Sequence, residues 1–213
     1  MNFNGSERVM INLEWEELDR LEVDEKLEQI LKFSYDAWIS DPKNIRFFVR
    51  AFFLKWYLQI DNFDIESYEE QDEKLRYMYS YGEQELLDIP EVKWIMGYCL
   101  SLNPECFMGE EGYDDVQLKG EKYLREASLA NPEDVFLKDF YYASGGKSVK
   151  EFVKWESENR EQLTNYLQAN FNYDSLFSDY FKEMVTMDFG EKMRKKGILE
   201  KLFSKLKKRD RYE

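Results

Sequence analysis

Carboxylates are the residues of this 213-residue chain most able to do chemistry, and they come in runs. Between Asp61 and Glu91 there are 11 acidic residues against Lys74 and Arg76, a net −9. The densest part is Asp61, Asp64, Glu66, Glu69, Glu70, Asp72 and Glu73, interleaved with Tyr68, Tyr77, Tyr79 and Tyr81. A second cluster, Glu110, Glu111, Asp114 and Asp115, surrounds Gly109 and Gly112. Carboxylate groups can exchange protons, hold cations, or present to a protein the charge pattern of a phosphate backbone. Neither cluster has the alternating ligand spacing of a calcium loop, so no metal is expected. Pairs of acids also serve in glycoside hydrolysis, but among 44 acidic residues close pairs arise by chance and carry no information.

Absences narrow the chemistry further. The chain has no histidine, which excludes Ser-His and Cys-His nucleophile activation and the histidine-dependent zinc and di-iron motifs. Lys147-Ser148 follows two glycines, but the first glycine of a P-loop would fall at Tyr141 and no strand precedes it. Cys99 and Cys106 fit no common zinc spacing and are expected as free thiols in a reducing compartment. No cofactor is expected, and the chain reads as a binding protein rather than an enzyme.

The elements that must position the acids are helices. Aromatics make up 17% of the chain while Gly and Pro number 10 and 4, a balance that favours packed helices over sandwiches or barrels. Asp24 is the expected cap of a helix to Ser40, with Leu27, Ile30, Leu31, Ser34, Ala37 and Trp38 inward. Before it, Val9 to Trp15 alternates in polarity as a short extended piece does. Asp41-Pro42 is expected to cap a central helix apolar on most sides, built on Phe47, Phe48, Ala51, Phe52, Phe53, Trp56 and Tyr57. The acidic strip predicts a helix from Ile65 to about Tyr81. In it Glu66 with Glu70 and Glu69 with Glu73 are like charges at i, i+4, an arrangement stability alone does not favour.

Pro90 to Leu102 and Tyr113 to Ala130 carry the strongest helical periodicity, each with one apolar face. After Pro132 a short helix uses Val135, Phe136, Phe140 and Tyr141 and ends near Ser144-Gly145-Gly146. Ser148-x-x-Glu151 is a capping box opening a helix with Phe152, Val153, Leu163, Tyr166, Leu167 and Phe171 inward. Asp174 is expected to cap a last aromatic helix to about Phe189. The fold class expected is all-α: an irregular array of about eight or nine antiparallel helices, with residues 1–190 as one acidic domain.

Residues 191–213 form a separate basic tail. Lys192 to Glu213 holds 10 basic and 3 acidic residues, a net +7, so the first 191 residues carry −21 of the total −14. Leu199, Leu202, Phe203 and Leu206 fall on one face, and such a segment can sit on an anionic membrane, bind nucleic acid, or fold back onto the acidic body. No apolar run approaches membrane-spanning length and the N-terminus has no signal core, so a cytoplasmic protein is expected. The strongly acidic body argues against nucleic acid and for a cationic protein partner, with plain solubility as the bland alternative.

Gly120, Leu124, Ala127 and Pro132 have the spacing of the second helix of a tetratricopeptide repeat, and Met96-Gly97 resembles the Leu-Gly of the first. Ala37-x4-Pro42 repeats the Ala127-x4-Pro132 step. About eleven extra residues from Asn103 separate the two halves of the hairpin. In its acidity, helical hairpins and tyrosine-rich acidic strip the chain resembles the cytosolic immunity proteins of bacterial contact-dependent inhibition and polymorphic toxin systems. That resemblance implies one-to-one binding of a cognate, basic, nuclease-type toxin domain, whose active site the acidic strip and the Glu110–Asp115 loop would cover. The partner-binding residues are then Asp61, Asp64, Glu66, Tyr68, Glu69, Glu70, Asp72, Glu73, Tyr77, Glu110, Glu111, Asp114 and Asp115. A tetratricopeptide-like scaffold holding a partner's peptide in a groove is the alternative. The oligomeric state is left open.

Overall fold

The computed structural model describes residues 12–23, 27–60 and 68–187. Among them are nine α-helices and no strand: α1 (Glu16–Val23), α2 (Leu27–Ser40), α3 (Ile45–Ile60), α4 (Tyr68–Tyr81), α5 (Pro90–Leu102), α6 (Tyr113–Ala130), α7 (Val135–Tyr141), α8 (Val149–Asn170) and α9 (Leu176–Thr186). The fold is therefore all-α. The expected Asp24 cap, the extended residues 9–11, the end of the last helix at Phe189 and the basic tail lie outside the described residues.

Two helices are buried nearly all round and organise the rest. Of α3, every residue from Phe48 to Trp56 is buried. The other is α5, which buries Pro90 to Leu100 except for the half-buried Lys93, where the periodicity predicts a single apolar face. The difference follows from position: α5 is covered by α3 on one side and by α6 on another. One continuous apolar cluster runs from Leu13 to Val185. Many of its aromatic rings meet edge to face, as between Trp94 and Phe136 at 5.0 Å and between Tyr98 and Phe140 at 5.1 Å, and others stack.

The small residues of the α5–α6 hairpin do what their spacing predicts. A Cβ on Gly120 would lie 2.6 Å from the Ser101 amide nitrogen, and one on Gly97 would lie 2.8 Å from the Gly120 carbonyl oxygen. The two backbones meet where only glycine fits, and these helices form the most extensive contact in the molecule. The long connection between them is not a bare loop. It contains a 3-10 turn at Pro104–Cys106 and buries Phe107, whose ring stacks 5.7 Å from that of Phe52.

The helix start at Ser148 agrees with the sequence, and two others lie one to three residues beyond the expected cap. Ser148 and Glu151 form the capping box, with the Ser148 amide donating to Glu151 at 3.1 Å. The start of α3 is capped by Asn44, whose Oδ1 accepts from the Phe47 amide, and Asp41-Pro42 belongs to the preceding turn. The first turn of α9 is closed by Ser175, which accepts from the Ser178 amide at 3.0 Å, and not by Asp174. Val153 is exposed, because it lies on the outward side of α8 from Phe152, Leu163 and Leu167. A π-helical turn, Tyr142–Gly146, continues α7, and Gly145 within it takes φ +113°, the left-handed conformation that breaks the helix there.

Both cysteines are free; Cys99 is buried and Cys106 half-buried. Burial pushes the Cys106 thiol up to about 12 and the Cys99 thiol well above its usual value. No described helix is long and apolar enough to cross a membrane.

Candidate functional site

At about 100° per residue, α4 and the π-helical turn Gly82–Leu86 that continues it present four distinct stripes, and each has its own neighbour. Leu75, Met78 and Gly82 face α3 and are buried. A quarter-turn away, Asp72, Arg76, Tyr79 and Glu83 face the loop before α6. Here Arg76 Nε donates to Asp72 at 2.8 Å and Arg76 Nη1 to the Met108 carbonyl at 2.6 Å. Beyond them the Tyr79 and Tyr123 hydroxyls donate to the same Glu83 oxygen, at 2.8 and 2.7 Å. Lys119 closes the cluster, 2.7 Å from Glu111 and 3.4 Å from Glu83. Burial, then the Glu83 carboxylate, raises both tyrosine pKa values, and although partial burial disfavours its charge, Glu111 and Glu83 hold Lys119 above its usual value.

The third stripe faces α2. Lys74 pairs with Glu70, and the ammonium groups of Lys74 and the buried Lys55 stand 5.1 and 4.7 Å from the centre of the Tyr35 ring. Trp38 of α2 receives Tyr77 and Tyr81 edge on, at 5.6 and 5.4 Å. The fourth stripe, Glu69, Glu73, Tyr77, Ser80 and Gln84, points to solvent. Tyr77 is 52% exposed at the boundary with α2, and Ile39, next to Trp38, is 45% exposed.

These stripes sort the predicted site residues. Asp61, Asp64 and Glu66 lie outside the described residues, as does the side chain of Tyr68. Glu70, Asp72 and Glu111 are engaged with the protein's own Lys74, Arg76 and Lys119. Glu69 and Glu73 are exposed and make no ion pair among the described residues, and the same holds for Glu110, Asp114 and Asp115. Tyr79 and Tyr81, interleaved with the acids in sequence, are half-buried and committed to Glu83 and Trp38. The Arg76 bond to Met108 holds the loop before α6 beside α4 and so brings Glu110 and Glu111 near the described acids of that helix, while Asp114 and Asp115, expected in the loop, stand in the first turn of α6.

Sequence reading missed the buried charges of α3. Arg50 is fully buried; its Nη2 donates to Asp19 at 2.7 Å and Glu22 at 2.6 Å, and its Nη1 to the Leu13 carbonyl at 2.9 Å. Burial pushes both carboxyls above the usual range against the pull of the guanidinium. Glu22 also accepts from the Phe177 amide at 3.3 Å, so one arginine ties α1 to α3 and to the start of α9. The available signal was a cation in a helix with no polar face, which must find acids elsewhere in the chain. The adjoining polar cleft, about 400 Å³, is lined by Asn12, Glu14, Gln168, Asn172 and Tyr173 among others. These side chains include no nucleophile activated by a neighbouring base.

Lys55 is the second buried cation. Its Nζ donates to Gln71 at 2.8 Å, and burial, reinforced by Lys74 and opposed by Glu70 and Asp36, pushes its pKa down to about 7. The folded-state value lies below the unfolded one, so above pH 7 the unfolded chain holds a proton that the folded chain does not. Stability therefore rises with pH, by about 1 kcal/mol between pH ~7 and ~8.5 once the thiols of the unfolded chain, which begin to ionise there, are counted. Above that window the buried thiols, with raised folded values, reverse the slope. Urea unfolding at the two pH values checks this: Lys55→Met should abolish the rise, and a flat wild-type profile would contradict the assignment.

No group of three or more Asp, Glu or Cys side chains among the described residues is placed to hold a metal ion. Comparison of the chain with family models, curated proteins and solved structures finds no match. The functional reading therefore rests on the geometry of the chain itself.

Proposed function

We propose that the protein is an immunity-type inhibitor that binds the basic surface of a cognate toxin domain, with the outward ridge of α4 as the centre of the contact. One observation carries this reading. On a helix whose other acids are neutralised by the protein's own cations, Glu69 and Glu73 make no ion pair among the described residues and stand beside an exposed tyrosine. Neutral packing would serve stability as well there. A ridge of free carboxylates around an aromatic anchor suits a cationic partner, because charge steers the encounter and a desolvated Tyr contributes strongly to affinity.

Glu110 in the neighbouring loop and Asp114 and Asp115 in the first turn of α6 extend the same field, and the partner is a protein rather than a polyanion. The binding role requires no cofactor and no catalytic residue. Native mass spectrometry of the tagged protein drawn from its own host across a salt gradient tests the proposal. The expected result is a stoichiometric complex with one basic domain, released as salt rises because exposed charges are screened beyond about 3 Å at 1 M. Capture of many unrelated proteins, indifferent to salt, would contradict it.

A further inference from the structure

The ridge of α4 lies within reach of the chain's own basic segment. α9 runs beside α3 in the same direction: Phe177 meets Phe53 at 5.0 Å and Tyr180 meets Tyr57 at 5.2 Å. α4 runs the opposite way, with Gln71 beside Lys55 and Gly82 against Phe48. The end of α9 and the acidic first turns of α4 therefore lie at the same end of the bundle, on two flanks of one helix. With interaxial spacings of about 8–10 Å, the flanks are roughly 10–20 Å apart. Residues 188–198 can span up to about 36 Å, which is ample.

The chemistries of the two surfaces are complementary. The ridge offers Glu69, Glu73 and Tyr77 exposed on one stripe, and Ile39 is exposed one residue beyond Trp38, the ring that Tyr77 meets. The segment Lys192–Glu213 carries a net +7 and places Leu199, Leu202, Phe203 and Leu206 among its lysines. An anionic membrane or a nucleic acid would have to approach this segment against the field of the acidic body; the ridge attracts it. We propose that, in the absence of a partner, the segment Lys192–Glu213 docks back across the α4 ridge at Glu69, Glu73, Tyr77 and Ile39. The ridge is the surface assigned above to the partner, so the segment acts as an intramolecular competitor there. The docking itself stands whether or not the partner is a toxin domain.

Carbodiimide crosslinking of the full chain, as an equal mixture of 15N-labelled and unlabelled protein with no partner added, tests the docking. Crosslinks from the lysines of 192–208 should fall within single copies and concentrate on Glu69 and Glu73. Their yield should drop about five-fold between roughly 0.05 and 1 M salt, as the Debye length shrinks. Leu199→Ser with Leu206→Ser, which keeps every lysine of the segment and both ridge carboxylates, should lower their yield about three-fold, and an unchanged yield would overturn the docking. Crosslinks joining labelled to unlabelled copies would assign the segment to a second molecule and overturn the proposal. An even spread over distant acids such as Glu133 and Glu158 would overturn it too, as would transfer of the protein to added phosphatidylserine vesicles with loss of the crosslinks. Because no partner is present, this outcome is independent of the capture experiment above.

Discussion

Arg50→Met is expected to destabilise the protein by about 3–5 kcal/mol, because it leaves Asp19 and Glu22 buried without their counter-charge. The guanidinium is fully buried and bridges both carboxylates and the Leu13 carbonyl, while its plane stands 4.9 Å from the Phe177 ring centre. No water can replace these contacts without opening the seam between α1, α3 and α9. The origin of the loss is testable by adding Asp19→Asn and Glu22→Gln to Arg50→Met. The two side-chain amides so introduced would remove the stranded charge yet keep oxygens able to accept from the Trp15 and Phe177 backbone amides. Urea unfolding should show the triple variant regaining more than half of the lost stability. A single variant within about 1 kcal/mol of wild type would mean that the cluster is not desolvated as described.

Gly120→Val is the second large effect, a loss of about 3 kcal/mol or more. The new Cβ would meet the Ser101 nitrogen at 2.6 Å and the Gly97 carbonyl oxygen at 2.8 Å, both backbone atoms of α5. Relief requires the two helices to separate, and with them the most extensive contact of the fold. Alanine at the same position should cost less, since it recovers about 1 kcal/mol of helix propensity while still clashing. Gly109→Ala is the control: nothing lies within 4 Å of its Cβ position, and its effect should stay within about 0.5 kcal/mol. Thermal unfolding of the three variants checks the ranking, and equal midpoints for Gly120→Val and Gly109→Ala would contradict the close approach.

The hairpin was legible in the sequence because small residues at fixed spacing have one physical use on an apolar helix face. The helices α5, α6 and α8 follow the same logic of period and cap. Helix starts at Asn44 and Ser175 were less legible, since Asp41 and Asp174 are equally good acceptors by type and only the turn geometry chooses between neighbours. Arg50 was hidden for a different reason. A pattern reading assigns residues to faces of one helix, and α3 has no polar face; the partners of Arg50 lie about 30 positions earlier. In the acidic strip the like charges at i, i+4 drew the reading, although Glu70 with Lys74 and Asp72 with Arg76 have the same spacing and pair. What sequence could not separate is which acids stay free once those pairs form, and that separation defines the ridge.

The ridge is therefore where the binding account stands most exposed. Affinity for the captured partner should be measured by isothermal titration for wild type, for Glu69→Lys with Glu73→Lys, for Tyr77→Ala, and for Glu158→Lys with Glu161→Lys on the far helix α8. The ridge reversal should weaken binding at least about a hundred-fold, and Tyr77→Ala should cost about 2 kcal/mol. The α8 reversal should change affinity by no more than its effect on net charge, a few-fold at low salt. Equal losses from the α4 and α8 reversals, with none from Tyr77→Ala, would show that net charge alone attracts the partner and would contradict a binding site on α4.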